Sequence, residues 1–236
     1  MYTLDRRKVF SLVDFTFSSS GLVKGDRVLK AMQEFIPDCN IEDLKIDFSA
    51  TATDIANHRE VVYTSGSLYK AIRASIAIPT VLTPVITDGS VIVDGGVMNN
   101  LPVNNVKRNN GDLLIASYVN ADIPFKKEVF TGENAKKQEK AYRKKLNEFY
   151  DYLNHLLPKN KKEKLGYFTL LDKTLSSMTY QLAHLAIKNN PPDVMIQTSR
   201  YICGTYDFYK AEEVVEAGRK QAVDTLDKYE KNKVKE

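Results

Sequence analysis

The stretch Val91–Asn100 (VIVDGGVMNN) sets an aspartate, Asp94, at the end of a short apolar run and follows it with Gly95 and Gly96. An ionised carboxylate at a strand's exit, followed by two residues without side chains, can approach a hydroxyl closely and take its proton. That is the acid's part in a two-residue ester hydrolase. The other parts are a serine on a sharp turn and backbone N–H groups around the developing oxyanion. Taken alone, Asp-Gly-Gly is above all a turn formula. Around it, Ala71–Pro79 (AIRASIAIP), Pro84–Val85, Asp88–Gly89, Val91–Asn100 and Pro102–Val103 follow one another along the chain.

The partner serine is not evident. No Gly-x-Ser-x-Gly pentapeptide occurs in the 236 residues, and a nucleophile of this kind sits on a strand-turn-helix elbow. Ser75 reads as part of an apolar helix, Ser65 and Ser67 as turn and cap around Gly66, and Ser18–Ser20 as a loop before Gly21. Of the histidines, His58 falls in a hairpin turn while His155 and His184 fall on helices, where each reads as an ordinary surface or core residue. Asp54 is a second candidate acid at a strand's end, with a turn or cap role the stronger reading. Asp88 belongs to a hairpin turn. No His/Cys/carboxylate cluster has metal-ligand spacing and no glycine-rich phosphate loop is present, so neither a metal nor an organic cofactor is expected.

These residues need elements to hold them. Gly21–Pro37 reads as a glycine-bounded helix with Val28, Leu29, Met32, Phe35 and Ile36 on one stripe. Lys45–Thr53 alternates as a strand, Asp54–Arg59 turns, and Glu60–Thr64 returns. Ser67 caps a helix through Leu68, Ile72 and Ile76 that Pro79 stops. Asp88–Gly89 suits a type I′ turn between Val85–Ile86 and Val91–Val93. Pro102 is expected to open a helix leading to a buried strand, Leu113–Val119, making a strand–helix–strand unit with Asp94 at the first strand's exit. Ligands bind at that edge of open α/β sheets. Beyond it come an amphipathic helix over Glu133–Leu157, a basic linker Pro158–Lys164, a helix Phe168–Lys188, a strand Val194–Gln197 and a closing helix Ala211–Tyr229.

A chain of this length builds one α/β domain with a substantial core. Hydrophobic content of 43% and charged content of 27% are ordinary for a globular protein. The most apolar run, Ile76–Ile86, is broken by Pro79 and Pro84 and is too short to cross a bilayer. Cys39 and Cys203 form no pairing framework and read as two buried thiols in a reducing, cytoplasmic setting. The net charge of +4 is uneven, because Lys126–Lys164 holds 12 Lys/Arg against 6 Asp/Glu. That segment reads first as a solvated helix face, and second as a peripheral contact with an anionic membrane surface. Its tyrosines share a face with its leucines, so no nucleic acid is expected.

The ordered set from Ala71 to Val103 closely resembles the patatin-like lipid acyl hydrolases. The resemblance extends to Gly21–Arg27, to Phe48–Asp54, and to Pro191–Gln197 with Asp207–Gly218. It implies a three-layer αβα sandwich with a mainly parallel sheet. It also implies a Ser–Asp dyad in which Asp94 is the acid and Gly95–Gly96 form the active-site turn, acting on phospholipid or another long-chain ester. In that family the oxyanion loop and the nucleophile elbow precede the part that matches Gly21–Gly25, so the serine is expected upstream of Met1. The chain is then a single domain, 1–236, incomplete at its N-terminus, with a basic helical insertion at about 120–190. The alternative is a non-catalytic module that binds lipid or a protein partner.

Overall fold

Ala71, Ala74 and Ala77 recur at three-residue intervals, and all three are buried. A helix with methyl groups along one face lies close on a sheet, and that close approach organises the region around Asp94. A computed structural model describes residues 15–18, 21–79, 81–125, 167–204 and 210–233. The helix, α2 (Leu68–Ser75), is capped by Ser67, whose side chain accepts the Lys70 N–H. It covers one face of a four-stranded sheet formed by β3 (Ala50–Asp54), β4 (Arg59–Tyr63), β5 (Val85–Thr87) and β6 (Ser90–Asp94), in the order β4-β3-β6-β5. Two apolar clusters fill the interface. Ile41, Ala50, Leu68 and Ala71 form one, and Ala52, Ala74 and Ile92 the other.

The remaining elements are β1 (Phe15–Ser18) and β2 (Gly21–Val23), which pair antiparallel, a short α1 (Asp26–Gln33), and a parallel unit at the C-terminal end. That unit is β7 (Ile115–Ala121), α3 (Tyr167–Asn189) and β8 (Val194–Ser199), followed by α4 (Ala211–Lys233), which packs on β8. Ala183 of α3 packs against Leu114, Ala116, Tyr118 and Ala121 together with Leu101 and Val103. The architecture is α/β, as the resemblance implied. Among the described residues parallel pairing is confined to β7 and β8, and the four-stranded sheet is antiparallel throughout.

Several sequence expectations shift. The helix expected over Gly21–Pro37 begins only at Asp26, because Gly25 has φ 79 and a Cβ there would stand 2.9 Å from the Leu82 side chain. Of its apolar stripe only Leu29 is buried, and Phe35 and Ile36 beyond the helix end are 59% and 55% exposed. The strand expected from Lys45 begins at Ala50, where pairing with Tyr63 at the end of β4 first becomes possible. Pro102 opens a single 3-10 turn, Val103–Asn105, rather than a helix. Asparagine side chains compete with backbone hydrogen bonding, and those of Asn104 and Asn105 bond to each other and to neighbouring side chains. The strand–helix–strand unit therefore falls one step later, with α3 joining β7 to β8. Gly89 has φ 76 while Asp88 is not left-handed, so the Asp88–Gly89 turn is not type I′, which needs both central residues at positive φ. The run expected as a buried strand, Leu113–Val119, is not buried on both sides: Leu113 before β7 and Ile115 and Val119 within it are 49%, 50% and 60% exposed. Cys39 is half-buried against the first apolar cluster, and Cys203, in the turn after β8, is exposed rather than buried. The helix expected over Glu133–Leu157 and the basic segment lie outside the described residues.

Asp54 joins the two hairpins of the sheet. Its buried carboxylate accepts Asn57 Nδ2 at 2.8 Å, Ser90 Oγ at 2.8 Å, Arg59 Nε at 3.3 Å and the Val91 N–H at 3.3 Å. The Asn57 bond, with those from Ser90 and Val91, holds it well below the usual carboxylate range despite its burial. Removing the carboxylate strands several buried donors, so Asp54→Ala should lower Tm by ~10 °C, measured by thermal denaturation. A depressed folded pKa gives stability that is full above the ordinary carboxylate value and lost as pH falls below it. Wild type should therefore lose stability toward acid more steeply than Asp54→Ala.

Candidate active site

Asp94 ends β6 and opposes Ala52 of β3. Its backbone N–H donates to Ala77 O at 2.9 Å, which ties the end of the Ala71–Pro79 motif directly to the aspartate. The buried alanines thus have a definite consequence: they let the chain after α2 come close enough to hold Asp94 by its main chain. Within the same motif Arg73 donates to Thr83 O at 2.8 Å and Thr83 Oγ1 at 2.9 Å, fixing the loop that leads into β5.

After Asp94 the chain turns through a short 3-10 helix, Gly95–Val97. Asp94 Oδ1 caps this turn by accepting the Gly96 N–H at 2.6 Å. Oδ2 has no hydrogen-bond partner among the described residues and is available to take a proton. Burial pushes the Asp94 carboxyl above the usual carboxylate range, opposed by the Gly96 hydrogen bond. A carboxylate so placed is a stronger base than one in water.

Both glycines are required by space rather than by positive φ. A Cβ on Gly95 would lie 2.3 Å from Thr51 O, and one on Gly96 would lie 2.8 Å from Asp94 Oδ1. The Gly96 obstacle is the carboxylate itself. Gly96→Ala should therefore disturb the orientation of Asp94 more than the fold: activity falling ~10-fold or more with Tm nearly unchanged, read by steady-state kinetics beside thermal denaturation.

A polar clamp behind the turn has no counterpart in the sequence reading. Glu60 Oε1 accepts Asn99 Nδ2 at 2.9 Å and Asn105 Nδ2 at 2.7 Å, and Asn105 Nδ2 also reaches Thr51 Oγ1 at 3.2 Å. Asn100 Nδ2 donates to Thr179 O of α3 at 2.8 Å. These bonds fasten the loop after Asp94 to the sheet on one side and to α3 on the other. The adjacent asparagines Asn99–Asn100 were the visible signal, but their partners are 39 and 79 residues away in the chain.

The other candidates lie apart from this arrangement. Asp54 has both oxygens engaged in the hairpin network. Ser67 is a helix cap, and Ser75 ends α2 half-buried. His58 occupies the hairpin turn with φ 53. His184 is exposed on α3 against the Tyr180 ring, and His155 lies outside the described residues. Among the described residues no group of three His, Cys, Asp or Glu could hold a metal ion. None of the described helices is long and apolar enough to cross a membrane.

The chain is similar to known proteins over nearly its whole length. Residues 2–107 match the family model "Patatin-like phospholipase", a span that takes in Asp94 and both motifs around it. An uncharacterized NTE family protein of Mycobacterium tuberculosis (strain ATCC 25618 / H37Rv) is 26% identical over 273 residues, covering 97% of this chain and 76% of its own. Lysophospholipase NTE1 of Pyricularia oryzae is 24% identical over 226 residues, covering 92% of this chain but 14% of its own. A second NTE family protein of the same M. tuberculosis strain is 38% identical over 93 residues, 39% of this chain and 16% of its own. The similarity thus runs past residue 107 into the β7–α3–β8 unit. Residues 2–107 thus match the patatin-like phospholipase family model, in a chain similar along nearly its whole length to an NTE family protein.

Proposed function

We propose that the chain provides the acid half of a Ser–Asp dyad for hydrolysis of phospholipid or another long-chain ester. The observation that carries this reading is Asp94: strand-end, one oxygen held by the Gly96 N–H, the other free, with its basicity raised by burial. The serine Oγ attacks the acyl carbonyl while Asp94 Oδ2 accepts its proton. The bond to the leaving alcohol breaks and Asp94 returns the proton to that oxygen. Water then attacks the acyl-enzyme as Asp94 takes its proton, and Asp94 passes that proton to the serine oxygen as the acyl bond breaks and the fatty acid leaves. On this reading the serine and the oxyanion amides lie outside the 236 residues. No step calls on a metal or organic cofactor.

The missing Gly-x-Ser-x-Gly favours one rival, a non-catalytic module that binds lipid or a partner without cleaving it. A fluorophosphonate probe, which reacts with an activated serine, separates the two. The 236-residue chain alone should stay unlabelled, whereas a product extended upstream should label at a single serine and hydrolyse lysophospholipid. An extended product that binds lipid but neither labels nor hydrolyses would establish the rival. The same proposal places the protein in the cytoplasm, with Lys126–Lys164 touching an anionic membrane. Flotation with phosphatidylserine vesicles should then succeed at low salt and fail at high salt.

A further inference from the structure

One face of α3 is left uncovered by the described residues. Ala183, Ala186 and Ile187 pack into the cluster around β7, while Leu171, Leu175, Met178, Leu182 and Leu185 recur in steps of four, three, four and three. That spacing sets all five on one stripe of a helix, about a third of a turn away from the Ala183 face. The stripe is nevertheless open to solvent. Leu171 and Leu175 are each 36% exposed, Met178 is 56% and Leu185 53% exposed, and Leu182 is half-buried. A row of large apolar side chains at heptad spacing, left in water, calls for a partner helix.

A matching stripe exists in the same chain. Tyr142, Leu146, Phe149, Leu153 and Leu156 repeat the four-three spacing within the segment whose sequence predicts an amphipathic helix. On a helix, Lys136, Lys140 and Lys144 fall on the opposite side, so only one face seeks apolar contact. Each stripe runs over fifteen residues, about 21 Å from first to last on a helix. Pro158 stops the first run, and residues 157–166 lead directly into Tyr167 at the start of α3. A link of that length reaches ~33 Å when extended, ample for the ~8–10 Å between packed helix axes.

We infer that the α3 stripe is the docking surface for this chain's own Tyr142–Leu156, running antiparallel to α3. Leu156 then meets Leu171, Leu153 meets Leu175, Phe149 meets Met178, and the series ends with Tyr142 against Leu185. A second copy of the chain is the weaker occupant. Five positions make only about two heptads, short of the three or four that a self-standing coiled coil uses. A short link, by contrast, holds a segment of the same chain at ~mM effective concentration. The docking bears on the candidate site without depending on its chemistry. Thr179, whose carbonyl holds the Asn100 amide of the Asp94 loop, adjoins Met178 of the stripe, so a covered stripe braces the helix that anchors that loop.

Cysteine pairs in the 236-residue chain test this directly. Leu153→Cys with Leu175→Cys should form a disulfide within one chain under mild oxidation, recovered by mass spectrometry as a linked pair of peptides from a monomer. Facing positions come within the ~7 Å that a disulfide needs. Leu146→Cys with Leu175→Cys, shifted by about two turns, should link ~10-fold or more slowly, because its Cα atoms stand beyond that reach. Equal linkage of the two pairs would overturn the docking. Linkage found only between chains would overturn it too, and would assign the stripe to a second copy. Met178→Asp, at an exposed position, should speed trypsin cleavage within Lys136–Lys145 by ~10-fold or more, since cleavage follows the population of the open form. Cleavage at the wild-type rate in a folded Met178→Asp chain would contradict the inference. If that variant unfolds, as circular dichroism would reveal, the cysteine pairs carry the test alone.

Discussion

Asp94→Asn should lower ester hydrolysis by ~10²–10⁴-fold in a protein that also carries the serine, the range associated with a positioned general base. The amide keeps the shape of the side chain, and its Oδ1 can still accept the Gly96 N–H, so the turn survives. The loss should fall on kcat, because the proton transfer belongs to the transition state and not to lipid binding. Stability should move the other way. With its folded pKa raised above the ordinary 3.8, Asp94 holds its proton more tightly folded than unfolded. The penalty is therefore absent below the ordinary value and complete above the raised one. At neutral pH Asp94→Asn should melt at or above the wild-type temperature, an activity-for-stability exchange of the kind functional sites show. In the active protein the acid limb of kcat/KM should lie above the ordinary carboxylate range, and that limb should vanish in Asp94→Asn.

Gly95→Ala should be the most disruptive single methyl in the region. The added carbon would lie 2.3 Å from Thr51 O and 2.7 Å from Thr51 C, both backbone atoms of the central strand β3. Neither can move aside as the end of a flexible side chain can. Overpacking of this kind costs typically ~1–3 kcal/mol and sometimes more, and a clash with main chain belongs at the upper end. A Tm drop of ~10 °C is expected for a domain of this size. Because the turn must lift off β3 to make room, Asp94 moves with it. Activity should therefore fall even at temperatures where the variant is folded. Gly96→Ala, which meets only the Asp94 carboxylate, should separate the two effects by losing activity with little loss of Tm.

Much of this site was legible in the residues. Asp94 at the end of an apolar run, Ser67 as a cap, and the hairpin at Asp88–Gly89 all depend on local chemistry, and each lies where the local pattern put it. The Ala71–Pro79 motif signalled a tight helix-on-sheet contact, although only the structure explains it, through the Ala77 O to Asp94 N–H bond. What escaped was non-local. Whether Pro102 begins a helix depended on asparagine side chains finding Glu60, more than 40 residues back. Asp54 read as a turn residue, but its bonds to Ser90 and Val91 come from a different hairpin.

The central claim is that Asp94 is the base of a serine-dependent lipid hydrolase. The most direct measurement is the rate of lysophospholipid hydrolysis, with and without Asp94→Asn, in a protein that also carries the serine, accompanied by circular dichroism on both. The predicted result is a folded Asp94→Asn protein whose kcat is lower by at least ~10²-fold. A folded Asp94→Asn protein that hydrolyses at the wild-type rate would contradict it.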